Sequence, residues 1–303
     1  MTVTKRVFKT VLVDLDDCCY RNEKVPELVR ERIQEYMQKK LGLPHDQIQQ
    51  LCLEMYTKHG TTMAGLVAEG HPIDYDDWHA HVHHSLPYTE LLHRDDRLRE
   101  MLNSIRLPKF IFTNADRKHA QICLDIMGIA DCFEGVISFE SIMEHGAAKG
   151  IVQDGRPVLC KPQRQAIELA LEQAHADPET TLYLDDSTRN VAAGHNAGIF
   201  SILVGKTGAN IGADREVLDI LDLPTALPEL WQQFEQTSLD ACQLCQSQAC
   251  TCAPPVHPQP RRSIHLSARE PETCRQAVEA EVDMDPQSMN SRGMPQAIAS
   301  NAS

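Results

Sequence analysis

Residues 7–17 read Val7-Phe8-Lys9-Thr10-Val11-Leu12-Val13-Asp14-Leu15-Asp16-Asp17. An apolar run of this kind predicts a buried strand over 7–15, and it ends in carboxylates. Carboxylates at the exit of a buried strand are costly unless a cation or a partner charge offsets them. Outward from this stretch, short runs of similar character recur at 110–114 (FIFTN), 135–138, 182–185 and 201–204. Amphipathic helical patterns separate them at 115–127, 162–175 and 187–197, the last with Ser187 as its expected N-cap and Gly198 just past its end. Strand, helix, strand in succession predicts right-handed crossovers. The expected fold is therefore α/β, a parallel Rossmann-like sheet with helices on both faces.

One interval breaks the rhythm. Residues 22–95 separate the first two strands and hold helical patterns at 25–41 and 45–56, followed by His-rich 74–84. A segment that long predicts an inserted α-helical subdomain rather than a connection. It leaves the sheet where the first strand ends, at the carboxyl edge where open α/β sheets bind ligands. The expected organisation is a core over 1–20 and 96–235, a helical cap over 21–95, and a tail over 236–303. The tail expectation comes from composition: all 15 Phe, Trp and Tyr residues lie at or before Phe234, and seven of the 17 prolines follow it. With so little to bury, that stretch cannot offset its ordering entropy and is expected to be disordered.

Charge and hydropathy exclude several classes. With 43 acidic against 29 basic side chains, a net charge of −14, the chain lacks the basic footprint of a nucleic-acid or anionic-membrane partner. No apolar run approaches the roughly 18 residues of a membrane span. The apolar stretch after Lys5 and Arg6 meets Asp14 almost at once, which is unlike a signal-peptide core. The expectation is a soluble protein, cytoplasmic or nuclear and not secreted, with its 11 cysteines reduced.

Four strand ends or loops then carry chemically suggestive groups: Asp14-Leu15-Asp16-Asp17, Thr113-Asn114, Lys161-Pro162 and Asp185-Asp186-Ser187. Each alone reads as a turn, a cap or a helix N-terminus. Acidic clusters and one lysine above a single sheet edge point to a hard-cation site facing a phosphate. Mg²⁺ takes oxygen ligands and keeps waters, so a few carboxylates plus a substrate phosphate suffice.

With these residues in hand, the chain resembles the haloacid dehalogenase-like hydrolase superfamily: DLDD at 14–17, FTNA at 112–115, CKP at 160–162 and LDDSTRN at 184–190 look like its four motifs. Within it, HGTTMAGL at 59–66, Asp74-Tyr75-Asp76, Trp78-His79, Val82-His83, Leu86-Pro87-Tyr88, IFTNAD at 111–116, DCFEGV at 131–136 and ALPELW at 226–231 resemble the pyrimidine 5′-nucleotidase branch of plants, algae and fungi. The likeness covers about residues 7–232. It implies Asp14 as nucleophile forming an aspartyl-phosphate, Asp16 as general acid and then base, Thr113 as a donor to a phosphate oxygen, and Lys161 as the neutralising cation. It implies that Asp14, Asp185 and Asp186 hold Mg²⁺ with the main-chain carbonyl of Asp16. Asn114 and the cap residues Gly60, Thr61 and Thr62 are the candidates for substrate contact. Asp16 favours a phosphatase over a true dehalogenase, which lacks that second aspartate.

The implied activity is Mg²⁺-dependent hydrolysis of a pyrimidine nucleoside 5′-monophosphate such as UMP or CMP. Alternatives are another small phosphate (phosphosugar, phosphoglycolate, lysophospholipid) or a catalytically weak protein whose fold serves interaction. Oligomeric state is left open. Cys18 and Cys19 stand where the superfamily usually has threonine and leucine, and two buried inert thiols are the expectation there. His79 and His83 share an i, i+4 spacing that suits Zn²⁺, but no third ligand lies nearby in sequence, so cap packing is expected. Cys242, Cys245, Cys250 and Cys252 match no common zinc-module spacing.

Overall fold

The computed structural model describes residues 6–209 and 211–233. The expected tail and its cysteines lie outside the described residues.

Six strands form one parallel sheet: β1 (Thr10–Val13), β2 (Lys109–Phe112), β3 (Gly135–Ile137), β4 (Thr181–Asp185), β5 (Phe200–Val204) and β6 (Arg215–Val217), in the order β3-β2-β1-β4-β5-β6. β1 is central, with Val13 in register with Ile111 on one side and Leu184 on the other. Strand order runs outward in opposite directions from β1, so the crevice that such a reversal opens lies over its carboxyl end. All four β1 residues are buried, as expected of a strand covered on both faces. Its ladder is shorter than the apolar run. The amides of Lys9 and Asp14 still donate to the carbonyls of Thr180 and Leu184, which extends the pairing one residue at each end.

Period-two alternation splits β1 between two cores. Val11, Val13 and Leu15 join Ile111, Leu182 and Leu184 beneath α6 (Asp96–Ser104), α7 (Arg117–Met127) and α11 (Leu223–Ala226). Leu12 joins Phe112 and Tyr183 on the other face beneath α8 (Phe139–Ala148) and α9 (Arg164–Gln173). Helix α10 (Thr188–Asn196) packs on β4 and β5. Ser187 is its N-cap residue, but its side chain makes no cap bond. The carboxylate of Asp185 instead accepts from the Ser187 amide at 2.9 Å.

Between β1 and α6 stand five helices: α1 (Lys24–Lys39), α2 (His45–His59), α3 (Thr62–Ala68), α4 (Tyr75–Val82) and α5 (Tyr88–Leu91). The two long ones match the periodic patterns. α3 has seven residues, too few to show a period, and the side chain of Thr61 caps it by accepting from Ala64 N–H. Gly65 lets α3 lie against α2, since a Cβ there would fall 2.5 Å from Met55 Cβ. The inserted helices meet the core at several points. Arg189 donates to the carbonyls of Tyr56 and Thr57, Gly60 sits against the Lys161 carbonyl, and His83 and His84 bond Asp116. Among the described residues no helix is long and apolar enough to cross a membrane.

Candidate active site

The parallel order places the carboxyl ends of β2, β1 and β4 side by side, so residues far apart in sequence converge. The Lys161 ammonium donates to Asp14 Oδ1 at 2.6 Å, Asp185 Oδ2 at 2.8 Å and the Phe112 carbonyl at 2.7 Å. All three donors are thereby used, and Lys161 is only 2% exposed. Its backbone is clamped by Asn114, whose amide oxygen accepts from Lys161 N–H at 2.7 Å and whose Nδ2 donates to the Lys161 carbonyl at 3.0 Å. Asp185 is fully buried and accepts from Tyr183 O–H, Ser187 N–H and Asn190 Nδ2 as well. Asp14 lies beside it, 6% exposed.

This array holds more negative than positive charge. Burial raises the Asp14 carboxyl well above its usual range, against the pull of Lys161 and with help from Asp185 and Asp16. Lys161 resists its own burial because Asp14 and Asp185 hold its proton. Asp186, only partly buried, is pushed up to about 6 by burial and by the charges of Asp185 and Asp17. Oxygen atoms of Asp14, Asp185 and Asp186 lie within 4.8 Å of one another. A hard divalent cation fits this donor set: it takes oxygen ligands and relieves the repulsion that lifts Asp186. Just past β1, Asp17 adopts a left-handed φ of 57°, which Asp tolerates better than most residues, and the chain turns there.

Asp16 faces a different partner. Its Oδ1 accepts from His119 Nε2 at 2.7 Å and from Tyr20 O–H. On the far side of the ring, Nδ1 lies 2.6 Å from Tyr88 Oη, whose hydrogen goes to the His83 carbonyl at 3.0 Å. Burial pushes that phenol up to about 12, so it keeps its proton. With the phenol hydrogen on that carbonyl, the phenol oxygen accepts from Nδ1, and His119 then donates at both nitrogens, as an imidazolium. The electrostatics agree. Burial opposes charge on both groups, but Asp16 raises His119 well above its ordinary value, and His119 holds Asp16 far below the carboxylate range.

Removing this cation has a defined consequence. Asp16's depressed value stabilises the fold above about pH 4 and is lost as pH falls through it. His119's raised value stabilises below about pH 6.5 and is lost as pH rises through it. His119→Gln is therefore expected to cost about 1–3 kcal/mol near pH 6, less than for a fully buried pair because the outer side of Asp16 is open. The deficit should shrink toward high pH. Denaturant unfolding of both proteins at several pH values checks this, and a pH-independent deficit contradicts it.

The remaining expected site residues are placed as follows. Thr113 is 2% exposed at the end of β2, and its Oγ1 accepts from Ala115 N–H at 3.0 Å. Gly60, with φ +97°, rests on the Lys161 loop, where a Cβ would fall 2.6 Å from the Lys161 carbonyl oxygen. Thr61 caps α3, and buried Thr62 reaches the Cys52 carbonyl at 3.5 Å. Cys18 and Cys19 are buried and their thiols are raised by burial, the inert state. Sequence reasoning missed His119, Tyr20 and Tyr88. One signal was available: His119 lies on the buried stripe of α7 with Ala120, Cys123, Leu124 and Met127, an ionisable group among apolar ones.

Phosphate metabolism protein 8 of Saccharomyces cerevisiae is 26% identical over 208 residues, 64% of this chain. The chain spans 61% of the length of that curated relative. Solved structures with similar folds include L-2-haloacid dehalogenase from Xanthobacter autotrophicus (TM-score 0.46, 15% identity, 72% of this chain and 98% of that one). Another is a HAD phosphatase from Thermococcus onnurineus (TM-score 0.47, 17% identity, 72% and 97%). The family model described as haloacid dehalogenase-like hydrolase matches residues 8–198, well over half of the sequence. The chain thus belongs to the haloacid dehalogenase-like hydrolases.

Proposed function

We propose that this hydrolase is a Mg²⁺-dependent phosphomonoesterase acting on a small soluble phosphate, most naturally a pyrimidine nucleoside 5′-monophosphate. The observation that carries the reading is the Lys161 ammonium held between Asp14 and Asp185, with Asp186 alongside and a protonated His119 on Asp16. Phosphoryl transfer is mostly positioning and charge stabilisation, and this is a rigid, charge-rich seat for it.

In the first step an Asp14 oxygen bonds to phosphorus while the ester oxygen leaves and takes a proton through Asp16. The Asp16–His119 pair holds that proton. In the second step Asp16 accepts a proton from water, the water oxygen bonds to phosphorus, and the bond to Asp14 breaks to release phosphate. Lys161 neutralises charge on Asp14 and the phosphoryl oxygens, and the Thr113 hydroxyl donates to one of them. Mg²⁺, held by Asp14, Asp185, Asp186 and the Asp16 carbonyl, would supply further charge neutralisation. Asn114 contributes by fixing Lys161. The five inserted helices act as a cap that excludes water and selects the organic part of the substrate. Pyrimidine selectivity rests on the resemblance of residues 59–88 to the nucleotidase branch.

The test is phosphate release from a panel of nucleoside monophosphates, phosphosugars, phosphoglycolate and a lysophospholipid phosphate, with Mg²⁺ or with EDTA. Release concentrated on UMP and CMP and lost in EDTA is expected. Preference for another member would keep the chemistry and replace the substrate. Release indifferent to EDTA would remove Mg²⁺ from the reading.

A further inference from the structure

Beyond the active site, a second group of ligand atoms converges where the inserted helices meet the core. His79 lies on α4 and His83 caps its C-terminus, so both rings face the same way. The third member, Asp116, comes from the N-cap of α7, 33 residues beyond His83. The expectation of plain packing rested on the lack of a third ligand near in sequence, and the tertiary fold supplies it.

Two of the three distances are those of ligands around one ion. His79 Nδ1 lies 3.4 Å from His83 Nδ1 and 3.4 Å from Asp116 Oδ2. Ligands about 2.0–2.1 Å from a tetrahedral Zn²⁺ stand about 3.3–3.4 Å apart. The third edge, His83 Nδ1 to Asp116 Oδ2, is 2.6 Å, a hydrogen bond whose proton an ion would displace while the edge opens by about 0.7 Å.

The surroundings fit as well. Asp116 is 2% exposed, and its other oxygen accepts from His119 N–H at 3.0 Å and lies 2.9 Å from His84 Nε2. Outer contacts of this kind hold a ligating carboxylate in orientation. His79 is 4% exposed, and its Nε2 has no hydrogen-bond partner among the described residues. Protons alone satisfy this cluster poorly. If Nδ1 of His79 carries the hydrogen, two N–H groups crowd one carboxylate oxygen. If Nε2 carries it, as an ion on Nδ1 would also require, the Nδ1 lone pair faces the carboxylate. A cation accepts all three lone pairs at once.

We infer that His79 Nδ1, His83 Nδ1 and Asp116 Oδ2 form a binding site for one Zn²⁺-class divalent ion, tying helix α4 to the core. Two imidazoles and a carboxylate suit zinc and its neighbours rather than Mg²⁺, which prefers oxygen alone. The site is separate from the carboxylate cluster around Asp14, and it stands or falls independently of the proposed phosphatase activity.

The test uses the full chain stripped of metal, with Cys242, Cys245, Cys250 and Cys252 changed to serine so that thiolates offer no competing site. Equilibrium dialysis against Zn²⁺ in millimolar Mg²⁺ is expected to retain one equivalent, with X-ray absorption showing two imidazoles and oxygen in its shell. His83→Gln and Asp116→Asn, the latter keeping a capping side chain, should each weaken retention more than about 100-fold, because even outer partners of a ligand are worth 10–100-fold. Asp186→Asn should retain the ion. Melting without Zn²⁺ shows whether each variant is folded; if one is not, the wild-type absorption spectrum decides. No retention in Mg²⁺, an all-oxygen shell, or folded variants that bind like wild type would each overturn the site.

Discussion

Asp14→Asn is expected to reduce phosphate release by on the order of 10⁴-fold or more while leaving the fold intact or slightly more stable. In the proposed mechanism the loss follows because asparagine cannot form the bond to phosphorus, and without that nucleophile only binding and electrostatics remain. The stability expectation follows from the Asp14 carboxyl being raised in the folded state. Its folded value above the unfolded one means that ionised Asp14 costs stability near neutral pH. Asparagine is nearly the same size, keeps an oxygen for Lys161, and carries no charge to bury. Phosphate release and denaturant unfolding, measured on the same preparation, check both halves. Wild-type-like turnover would remove the aspartyl-phosphate route. A large fall in stability would mean that the Lys161–Asp14 contact at 2.6 Å contributes more than the burial of Asp14 costs.

Lys161→Met is expected to do the reverse on stability while also abolishing activity. Among the described residues, Lys161 is the one cation bonded to both Asp14 and Asp185, each almost wholly buried. Removing it leaves two carboxylates uncompensated, a loss of about 3–5 kcal/mol for breaking a buried pair. Turnover should fall by about 10²–10³-fold at least, the range for deleting one preorganised donor. Adding Asp14→Asn to the Lys161→Met protein should recover part of the stability, with a coupling of about 1–3 kcal/mol, because one of the stranded charges is then gone. Unfolding of the four proteins of this cycle measures that term. Strict additivity would mean that the two side chains do not interact energetically despite their contact.

The two expectations oppose each other because the site is arranged for charge rather than for stability. Asp14 and Asp186 both sit above their ordinary range, and no apolar residue of similar size would carry that penalty. Sites that bind a cation and an anionic ester accept such repulsion in the free protein, and binding relieves it.

Much of this was legible from local pattern. The run at 7–15 reads as a strand because β-branched residues fill a covered pleat, and helices α1, α2, α7, α9 and α10 show their period over ten or so residues. Helices α3 and α5 and strand β6 were not legible. Each is seven residues or fewer, and packing against neighbours decides its state rather than propensity. The side chain of Asn114 shows a subtler limit. The resemblance makes it a candidate for substrate contact, and only the fold shows that its amide also engages the backbone of Lys161, 47 residues away.

By itself the sequence determined the alternation of strands and helices, the helical insertion after the first strand, and the carboxylates and lysine that end or follow the strands. These depend on periodicity and residue type within a few turns of chain. Only the tertiary structure decided which of those groups meet. The order β3-β2-β1-β4-β5-β6 puts residues 14, 112, 161 and 185 around one ammonium. Docking of α7 beside the exit of β1 brings His119 to Asp16, and folding of the insertion onto α7 brings Asp116 to His79 and His83. Contacts of that kind join segments far apart in the chain, and nothing in the local pattern of either segment records its partner.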